Sequence, residues 1–451
     1  MKILLISPRT GRLAKTPSAL MIPQLGLHIL AGLTPPEHEV KIVEEEVEDI
    51  NLDEPCDLVG ISCMTANAPR AYHLADEFRR RGRKVVLGGV HPSILPDEAM
   101  GRADAVVVGE AEGVWNEVLA DASSGTLRQR YHRPDCDLDR YIPMRKGSFV
   151  RKSPFNILPV MTTRGCPFDC DFCCVSDLFG KRIRHLPVVN VVRFIQDTGG
   201  KRYLFLDDNI IGDRRYAREL FAGITPLGIQ WVGQASVSIV RDPELMKLAA
   251  DSGCAGLFFG VESVSAAQLQ KMRKSFKDIA MVEDAIKRVR DAGMFFHASL
   301  VFGFDEDTKA IFPETLEFLA RNKIGTATFN VLTPYPGTRV YEQFRREGRL
   351  LTRDWSHYDH ATVVFRPRNM TPYELQEGKA RVKREFSRLS SILRRLPANL
   401  RHPFYYVAMN LAIRKNASED YGELPRQKAE LSDGTPSLHP GVQGEEIPQP
   451  C

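Results

Sequence analysis

The sequence predicts an α/β protein with three parts: a doubly wound parallel domain, a partial (β/α)6 barrel and a small helical C-terminal cap. Short apolar runs alternate with helical patterns over residues 1–125, which is typical of a parallel sheet with crossover helices. The alternation resumes over residues 156–340 with a period of roughly thirty residues, as in a barrel of strand–helix units. A helical pattern with one apolar face and one basic face follows.

The composition is that of a folded protein without a dominant charge. The chain has 451 residues, of which 43% are hydrophobic and 26% charged, and its net charge is +4. So small a charge over this length does not favour nucleic acid as a partner. Nine cysteines, an odd number, argue against a secreted disulfide framework and indicate a reducing cytoplasm. No run is apolar enough for a signal peptide or a membrane span.

The first 125 residues are predicted to form a Rossmann-like domain with a ligand site at one edge. Ligands of such sheets bind beyond the carboxyl ends of the strands, where glycines let a large flat ligand approach the backbone. No Gly-x-Gly-x-x-Gly sequence follows the first strand, so a nicotinamide dinucleotide is not favoured. Strands are predicted at residues 3–6, 40–44, 58–62, 85–87 and 105–108, and helices at 25–33, 68–81 and 113–121. The candidate ligand-binding residues at the strand ends are Thr65, Gly88, Gly89, His91, Gly109 and Glu110.

Residues 126–155 are predicted to be a connector between the two sheets. This stretch contains prolines, glycines and many basic residues, and it has neither a helical nor a strand period. We expect it to wrap one domain onto the other, with its charges on a solvated face.

Three cysteines lie on one short loop at spacings of four and three residues: Cys166, Cys170 and Cys173. Thiolates are the ligands of iron–sulfur clusters, and three of them can hold three corners of a cubane while the fourth iron stays open to a substrate. Zinc is the competing metal, but a structural zinc site needs a fourth protein ligand, and no second Cys/His pair follows at similar spacing. Cys174 is interpreted as a core thiol, because the spacing favours Cys173.

The barrel over residues 156–340 is predicted to have six strands and therefore an open side. Strands are predicted at residues 160–163, 203–206, 230–233, 256–259, 296–301 and 326–332. Active sites of such barrels collect at the carboxyl ends of the strands. Polar side chains and glycines at those ends suit the amino acid, ribose and adenine groups of a nucleoside ligand. They include Asp207, Asp208, Asn209, Ser236, Glu262, Ser299 and Gly303.

A helical cap is predicted over residues 341–415, followed by a disordered tail over residues 416–451. Thr371-Pro372-Tyr373-Glu374 has the sequence of a capping box, and an apolar face continues to Leu396, where Pro397 ends the helix. The other face is either a solvated surface or a peripheral contact with an anionic membrane. Its basic residues are Lys379, Arg381, Lys383, Arg384, Arg388, Arg394 and Arg395.

The cysteine loop resembles the cluster-binding loop of the radical S-adenosylmethionine (SAM) enzymes, whose pattern is C-x-x-x-C-x-aromatic-C; Phe172 supplies the aromatic residue. The first 125 residues, with Gly88-Gly89-Val90-His91-Pro92 and Gly109-Glu110-Ala111-Glu112, resemble the cobalamin-binding domain that precedes many radical SAM domains. The D-x-H-x-x-G signature of the cobalt-coordinating histidine is absent. The resemblance therefore implies either cobalamin without that ligand or a relic domain. His91 is either a lower cobalt ligand or a packed turn histidine.

The resemblance also implies roles for the candidate residues. Cys166, Cys170 and Cys173 would bind a [4Fe-4S] cluster beside Phe172. Asp207, Asp208 and Asn209 stand where the family contacts the methionyl amine of SAM, although this tripeptide lacks the family's glycines. Glu262 matches the ribose-binding acid and Gly303 the adenine-side glycine. Ser236 and Ser299 would complete the SAM site, and Thr65, Gly88, Gly89, His91, Gly109 and Glu110 would line the cobalamin site.

The activity that the resemblance implies is that of a cobalamin-dependent radical SAM enzyme. The reduced cluster would cleave SAM to a 5′-deoxyadenosyl radical that removes hydrogen from an unactivated carbon, which methylcobalamin would then methylate. We expect a large lipid, terpenoid or tetrapyrrole substrate and an external low-potential electron donor of the flavodoxin or ferredoxin type. The alternatives are an oxidative cyclase or rearrangement enzyme with the same cofactors, a transfer-RNA methylthiotransferase, and a non-catalytic cobalamin or cluster sensor.

Overall fold

The fold contains two six-stranded parallel sheets in succession, followed by three helices. The computed structural model describes residues 1–10, 22–133, 136, 138, 139, 157–272 and 278–432. Most of the predicted connector and the last part of the predicted tail, residues 433–451, lie outside the described residues.

The first sheet is buried on both faces, as its continuous apolar strands predict. Its strand order is β2-β1-β3-β4-β5-β6, and every pair is parallel. The five predicted strands are present, and a sixth, β6, lies in the stretch that the sequence assigned to the connector. Its three residues are too few to show a pattern, but Tyr131 is buried in the core. The strands are β1 (Lys2–Ser7), β2 (Glu39–Glu44), β3 (Leu58–Ser62), β4 (Lys84–Gly88), β5 (Ala105–Val108) and β6 (Arg130–His132).

Helices cover both faces of this sheet. The three predicted helices are present, and two further helices of five residues each lie between β4 and β5. They escaped prediction because five residues are too short to display a helical period. The helices are α1 (Leu25–Leu33), α2 (Ala68–Arg80), α3 (Val90–Ile94), α4 (Pro96–Met100) and α5 (Trp115–Ser124).

The second sheet curves into an open barrel, because its edge strands β14 and β7 do not pair with each other. Its order is β14-β13-β12-β11-β10-β7, again wholly parallel. The first strand begins and ends three residues earlier than predicted, since residues 163–164 pair instead with a separate short strand. The strands are β7 (Ile157–Val160), β8 (Thr163–Arg164), β9 (Arg184–His185), β10 (Arg202–Phe205), β11 (Gln230–Gln234), β12 (Cys254–Glu262), β13 (Phe295–Phe302) and β14 (Thr326–Val331).

The barrel helices pack their apolar faces against one side of this sheet and form the largest core of the molecule. Acidic or hydroxyl side chains cap several of them, as Asp213 does by accepting hydrogen bonds from the backbone N–H groups of Arg215 and Tyr216. The helices are α6 (Val175–Phe179), α7 (Val188–Thr198), α8 (Arg214–Ile224), α9 (Pro243–Asp251), α10 (Ala266–Lys271), α11 (Ile279–Asp291), α12 (Ile311–Arg321) and α13 (Arg339–Arg346).

The C-terminal helices are α14 (Pro372–Phe386), α15 (Leu389–Arg395) and α16 (Pro403–Ser432). The predicted capping box of α14 is present. The prediction of one helix to Pro397 is wrong, because the chain turns at Ser387–Arg388 and a separate helix follows. Buried Arg395 stabilises this turn: it donates hydrogen bonds to the carbonyl oxygen of Phe386 and to those of residues 324 and 325, just before β14. The uniformly solvated basic face is wrong as well, since Lys379 and Arg395 are buried.

The prediction of disorder from residue 416 onward is wrong for residues 416–432, which continue α16. This part of α16 docks against α14, because Asp420 accepts hydrogen bonds from Lys379 and Lys383 and because Ala417 and Leu424 are buried. The sequence of this part of α16 is charged and only weakly periodic, so it does not predict a helix. Its packing partner, α14, lies some forty residues away along the chain.

The segment between the barrel and α14 packs on the first sheet. Tyr341, Trp355, Tyr358 and Val364 belong to the same buried cluster as residues of β1, β3 and α2. Trp355 also donates a hydrogen bond to Glu98, at 3.1 Å. This segment therefore fixes the first sheet to the mouth of the barrel.

Candidate functional site

The cysteine loop leaves the barrel after β7 and is closed at its base by a short antiparallel pair. Residues Thr163 and Arg164 of β8 pair with His185 and Arg184 of β9. Gly165 then has φ +92°, and a Cβ there would lie 2.5 Å from the carbonyl oxygen of Arg182. Only glycine meets both requirements, so the loop can begin its turn directly before Cys166.

An ion-pair clamp holds the tip of the cysteine loop. Arg339, at the start of α13, donates hydrogen bonds to Asp169 at 3.0 Å and to Asp171 at 2.5 Å. The backbone N–H of Val340 donates to the carbonyl oxygen of Asp171. The loop is thus fixed to the element that follows the last barrel strand.

The three predicted cluster ligands, Cys166, Cys170 and Cys173, are half-buried on this loop, and so is Cys174. Burial raises the pKa of Cys173 to about 12. Within the described residues, no three metal-ligating side chains converge on a point where one ion could sit. The three thiols share one short loop, and a set of sulfur donors is what an iron–sulfur cluster requires.

Asp207 does not lie open to a ligand. Its side chain is fully buried, and Oδ1 accepts hydrogen bonds from the backbone N–H and hydroxyl groups of Thr162 and Thr163, between 2.5 and 3.1 Å long. Oδ2 is buried and has no described hydrogen-bond partner, and the contact with the methionyl amine stays a prediction. Asp207 holds the strand that leads into the cysteine loop.

The next carboxylate, Asp208, is better placed for that contact. It is half-buried, and no described residue donates a hydrogen bond to it. It lies within electrostatic range of the thiols of Cys173 and Cys174, whose pKa values its negative charge helps to raise after the larger effect of burial. Burial, with a contribution from Asp207, raises its pKa to about 6. The side chain suits a cationic ligand group such as an ammonium.

Glu262 and Ser299 lie on neighbouring strands: Glu262 is the last residue of β12, whereas Ser299 lies in the middle of β13 rather than at the predicted strand end. Glu262 has φ +63°, a left-handed conformation that is costly for a residue with a side chain, and it lies at an irregularity in the pairing of β12 with β13. Ser299 pairs with Gly260 one step away. Asn209 accepts a hydrogen bond from the backbone N–H of Ser236 at 3.0 Å, which joins the ends of β10 and β11.

Gly303 follows β13 with φ +104°, and a Cβ there would lie 2.8 Å from Leu375 and 2.9 Å from Phe365. Buried Asp307 accepts hydrogen bonds from the backbone N–H groups of Gly303 and Phe304. Phe304 in turn packs edge-to-face against Phe172 of the cysteine loop, with ring centroids 5.9 Å apart. The predicted adenine-side glycine is thus connected to the cluster loop.

At the edge of the first sheet, the glycines fit a large flat ligand. Gly89 has φ +107°, and a Cβ there would lie 2.7 Å from the carbonyl oxygen of Cys63. Gly109 has φ +78° and donates its N–H to Ser93. Met64, two residues after the end of β3, is 52% exposed at the same edge. Gly88, Gly89 and Gly109 with Met64 could hold one face of a corrin ring.

His91 has the surroundings of a packed turn histidine. Its ring is fully buried, with Nδ1 3.3 Å from Thr65 Oγ1 and Nε2 3.3 Å from Glu98 Oε1. Trp355 packs on its edge at 5.5 Å. Both ring nitrogens have protein partners, and neither is open to cobalt. Thr65 is buried with it and serves the same packing.

Glu110, predicted to bind cofactor, instead joins the two domains. Its carboxylate pairs with Arg164 at 3.1 Å and with Arg184 at 2.5 Å, and Glu112 also pairs with Arg164. Both arginines belong to the β8–β9 pair at the base of the cysteine loop. The guanidinium groups hold the pKa of Glu110 below its usual range although burial opposes them. The side chain of Glu110 is thus engaged with the second domain, and its contact with cobalamin stays a prediction.

The sequence reasoning missed several residues that organise the site: Arg164, Arg339, Asp307 and His360. The partners of Arg164, Arg339 and His360 are distant along the chain, so no local spacing indicates them. Asp307 binds the backbone only three and four residues before it, and a local turn motif could have indicated it. One available signal was strand parity. Side chains alternate between the two faces of a strand, and Tyr203 and Phe205 point into the core. Asp207 falls on the same face as these two, whereas Asp208 falls on the opposite face with Leu204.

Two family models match the chain, each over one of the sheets. The model described as B12 binding domain matches residues 12–119, and the Radical SAM superfamily model matches residues 160–319.

Curated relatives match over nearly the whole chain. Bacteriochlorophyllide d C-12(1)-methyltransferase of Chlorobaculum tepidum is 30% identical over 93% of this chain and 95% of its own. Bacteriochlorophyllide d C-8(2)-methyltransferase of the same organism is 32% identical over 78% of this chain and 82% of its own.

A solved structure has the same fold. The cobalamin-dependent S-adenosylmethionine radical enzyme OxsB, with aqua-cobalamin bound, aligns with a TM-score of 0.69 over 96% of this chain and 81% of its own. At 14% identity this likeness concerns the fold alone.

Proposed function

Because the chain belongs to the cobalamin-dependent radical SAM methyltransferases, we propose that it methylates an unactivated carbon of a chlorophyll-type tetrapyrrole. The two relatives named above act, by their names, on bacteriochlorophyllide d. The observation that carries the proposal is the ion-paired contact of Glu110 with Arg164, which sets the ligand edge of the first sheet beside the cysteine loop. A carbon that must be reached from both cofactors then has one place to lie, between the two edges.

The cofactors supply the hard chemistry, a SAM-derived radical that activates carbon and a cobalt-bound methyl group. The chain's own residues orient and enclose them. Cys166, Cys170 and Cys173 would hold the cluster, and Asp208 and Glu262 would bind the cationic and hydroxyl groups of SAM. Gly303 would allow the adenine to approach the backbone. Gly88, Gly89 and Gly109 would face cobalamin.

The test is anaerobic reconstitution with iron, sulfide and hydroxocobalamin, then incubation with SAM, a strong reductant and bacteriochlorophyllide d. We expect 5′-deoxyadenosine and, by mass spectrometry, a chlorin that is heavier by one CH2 unit, because a methyl group replaces a hydrogen atom. Replacing Cys166, Cys170 or Cys173 with alanine should abolish both, while Cys174→Ala serves as the matched control and should retain them. Methylation of an apolar lipid with an untouched chlorin would contradict the substrate proposal.

We also propose an external low-potential electron donor of the flavodoxin or ferredoxin type. The remaining described cysteines, Cys56, Cys63, Cys136 and Cys254, are all buried and are scattered along the chain. We therefore expect the electron for the cluster to come from outside the chain. Reduced flavodoxin should support nucleoside release in place of a chemical reductant, and failure with both protein donors would contradict this proposal.

A basic apolar patch on α15 and the start of α16 leads us to propose contact with an anionic membrane surface. Five of its large apolar side chains are exposed: Leu389, Leu393, Leu400, Val407 and Leu411. Residues 386–418 contain no Asp or Glu, and exposed Arg388, Arg394, Arg401, Arg414 and Lys415 surround the apolar positions. Apolar side chains with a basic rim match the acyl boundary and anionic headgroups of a bilayer. No described helix is long and apolar enough to span one.

Vesicle flotation tests the patch. We expect the protein to float with vesicles that contain phosphatidylserine and to remain at the bottom of the gradient with vesicles of pure phosphatidylcholine. Leu393→Ser with Leu411→Ser should abolish flotation, and Val189→Ser, at a 70% exposed apolar residue on α7, is the control. A chain that dimerises through the patch would instead become monomeric in the double variant without ever floating, and that result would overturn the membrane proposal.

A further inference from the structure

The place where the two ligand edges meet contains a tyrosine and a histidine. Tyr335 follows β14, packs against the buried cluster of the first sheet, and lies close enough to Cys174 that the thiolate charge raises its pKa, together with burial. His360 lies on the segment that packs on both domains: its carbonyl oxygen accepts a hydrogen bond from Val331 at the end of β14, and Tyr358 two residues earlier is buried in the first domain. These two side chains therefore lie at the junction of the two domains, within electrostatic range of Cys174 and Glu262.

The hydrogen bonds of Tyr335 fix the proton of His360. The Tyr335 hydroxyl oxygen is 3.0 Å from the carbonyl oxygen of Tyr358 and 3.0 Å from His360 Nε2. A carbonyl oxygen can only accept, so the hydroxyl proton goes to Tyr358. His360 Nε2 therefore carries the hydrogen that Tyr335 accepts, and Nδ1 is left as an unprotonated lone pair. No described residue forms a hydrogen bond with Nδ1.

The histidine is neutral, rigidly held and reachable. Desolvation lowers the pKa of His360, although the carboxylates of Asp359 and Glu262 oppose it. The backbone has φ +61°, and the adjoining Ala361 carbonyl oxygen accepts hydrogen bonds from Gln376 and Lys379. Yet the side chain itself is exposed. A strained backbone that is held on both sides and presents an accessible polar group is typical of a functional position.

We propose that His360 Nδ1 is an axial ligand for the magnesium ion at the centre of the tetrapyrrole substrate. A neutral imidazole is the commonest metal ligand in proteins, and a ligating histidine almost always donates its other ring N–H to a fixed partner, as Nε2 does here to Tyr335. A metal chelated in the plane of a tetrapyrrole keeps an axial position for such a nitrogen. An apolar lipid has no metal ion or hydrogen-bond donor that this lone pair could bind. The inference rests on the tetrapyrrole proposed above as substrate.

The other histidines of the site cannot take this role. His91 has protein partners at both nitrogens. His297, on the concave face of β13, bonds to Thr326 through Nδ1, and its Nε2 has no described partner but is fully buried. Burial lowers its pKa to about 3. His360 alone among these three combines a fixed lone pair with access from outside.

The test is a titration of the holoenzyme with three chlorins: magnesium-containing chlorophyllide a, zinc pheophorbide a and metal-free pheophorbide a. Absorption and resonance Raman spectra report both affinity and the coordination number of the metal. We expect His360→Ala to weaken binding of both metallochlorins about tenfold or more and to remove the five-coordinate signature, without changing pheophorbide binding. Tyr335→Phe should weaken metallochlorin binding about tenfold while it keeps the ring packed.

His357→Ala, three residues away on the same segment, is the matched control and should match the wild type. Equal losses for metallated and metal-free chlorins in His360→Ala would assign a hydrogen-bonding or structural role and overturn the inference, while the tetrapyrrole proposal would stand. If the wild-type enzyme binds no chlorin, both the inference and the proposed substrate are overturned. Tyr335→Phe decides between the same outcomes should His360→Ala fail to fold.

Discussion

Single residues of this site occupy positions that are unfavourable in isolation and are held by their neighbours. Glu262 and His360 have left-handed backbones, and Asp207 and Asp307 are buried carboxylates. Each costs stability unless surrounding contacts compensate for it. Such positions persist where they place a functional group, which makes them suitable for tests that separate stability from activity.

Asp307 gives a pH-dependent prediction. Burial raises its pKa to about 7, above the roughly 4 of an unfolded aspartate. Between these values the folded chain holds a proton that the unfolded chain releases, so this group's contribution makes the protein less stable as pH rises. Asp307→Asn keeps an acceptor for the N–H groups of Gly303 and Phe304, so its thermal unfolding should lose this slope and occur at a higher temperature at pH 8. Asp251→Asn, on the surface, is the control.

The Glu262 backbone gives a prediction in which stability and activity change in opposite directions. A left-handed backbone costs about 1 kcal/mol for a residue with a Cβ, and glycine avoids that cost. Glu262→Gly should therefore unfold at an equal or higher temperature, yet bind SAM about tenfold to a hundredfold more weakly through the lost charged contact. Glu262→Gln keeps the strained backbone and isolates the charge. Normal SAM binding by the glycine variant, measured by calorimetry, would remove Glu262 from the site.

At the scale of secondary-structure elements, the C-terminal helices close the barrel from two directions. Phe404 and Tyr405, at the start of α16, pack against Val232 and Phe295 at the amino ends of the strands. The far part of α16 docks on α14 through Asp420. Helix α16 is therefore a structural part of the barrel along much of its length, and its exposed apolar positions are concentrated near its start.

The docking of α16 depends on a buried charge. Lys379 is only 1% exposed, and Asp420 neutralises it at 2.8 Å. Asp420→Ala would leave that ammonium buried without its partner, and we expect a loss of about 3 kcal/mol in the free energy of unfolding by urea denaturation. Lys379→Met together with Asp420→Ala should recover most of it. Asp291→Ala, which breaks a surface pair with Lys287, should cost less than about 1 kcal/mol.

At the scale of the whole molecule, the two cofactor domains are joined by ion pairs that begin directly beside the cysteine loop. Arg164 lies two residues before Cys166, and its guanidinium pairs with Glu110 and Glu112 of the first domain. A relative movement of the two domains would therefore also move the base of the cysteine loop. We expect loss of this contact to affect the coupling between radical formation and methyl transfer more than it affects the binding of either cofactor.

Glu110→Gln tests that coupling. The amide keeps the shape of the side chain but leaves Arg164 and Arg184 with less compensating charge. We expect nucleoside release to continue, while the ratio of 5′-deoxyadenosine to methylated product rises at least about fivefold. Glu117→Gln, which pairs with Arg128 and Arg133 inside the first domain, is the control. An unchanged ratio would show that the contact is only structural.

Much of this molecule could be predicted from the order of its residues. Short continuous apolar runs and the helical patterns between them are local properties, so five strands of the first sheet and the six-stranded open barrel follow from them. The spacing of Cys166, Cys170 and Cys173 is local as well. It was enough to predict the cofactor class that the family membership confirms.

Only the tertiary structure decided which of several carboxylates with the same chemistry can contact a ligand. Asp207 and Asp208 are adjacent carboxylates, yet Asp207 is buried and accepts four hydrogen bonds at Oδ1, whereas Asp208 is half-buried and lies within electrostatic range of the cysteine loop. Glu110 forms ion pairs with Arg164 and Arg184, and residues 416–432 form a helix that packs against α14. Burial and long-range pairing set these outcomes, because the free energy of a charge depends on neighbours that are distant along the sequence.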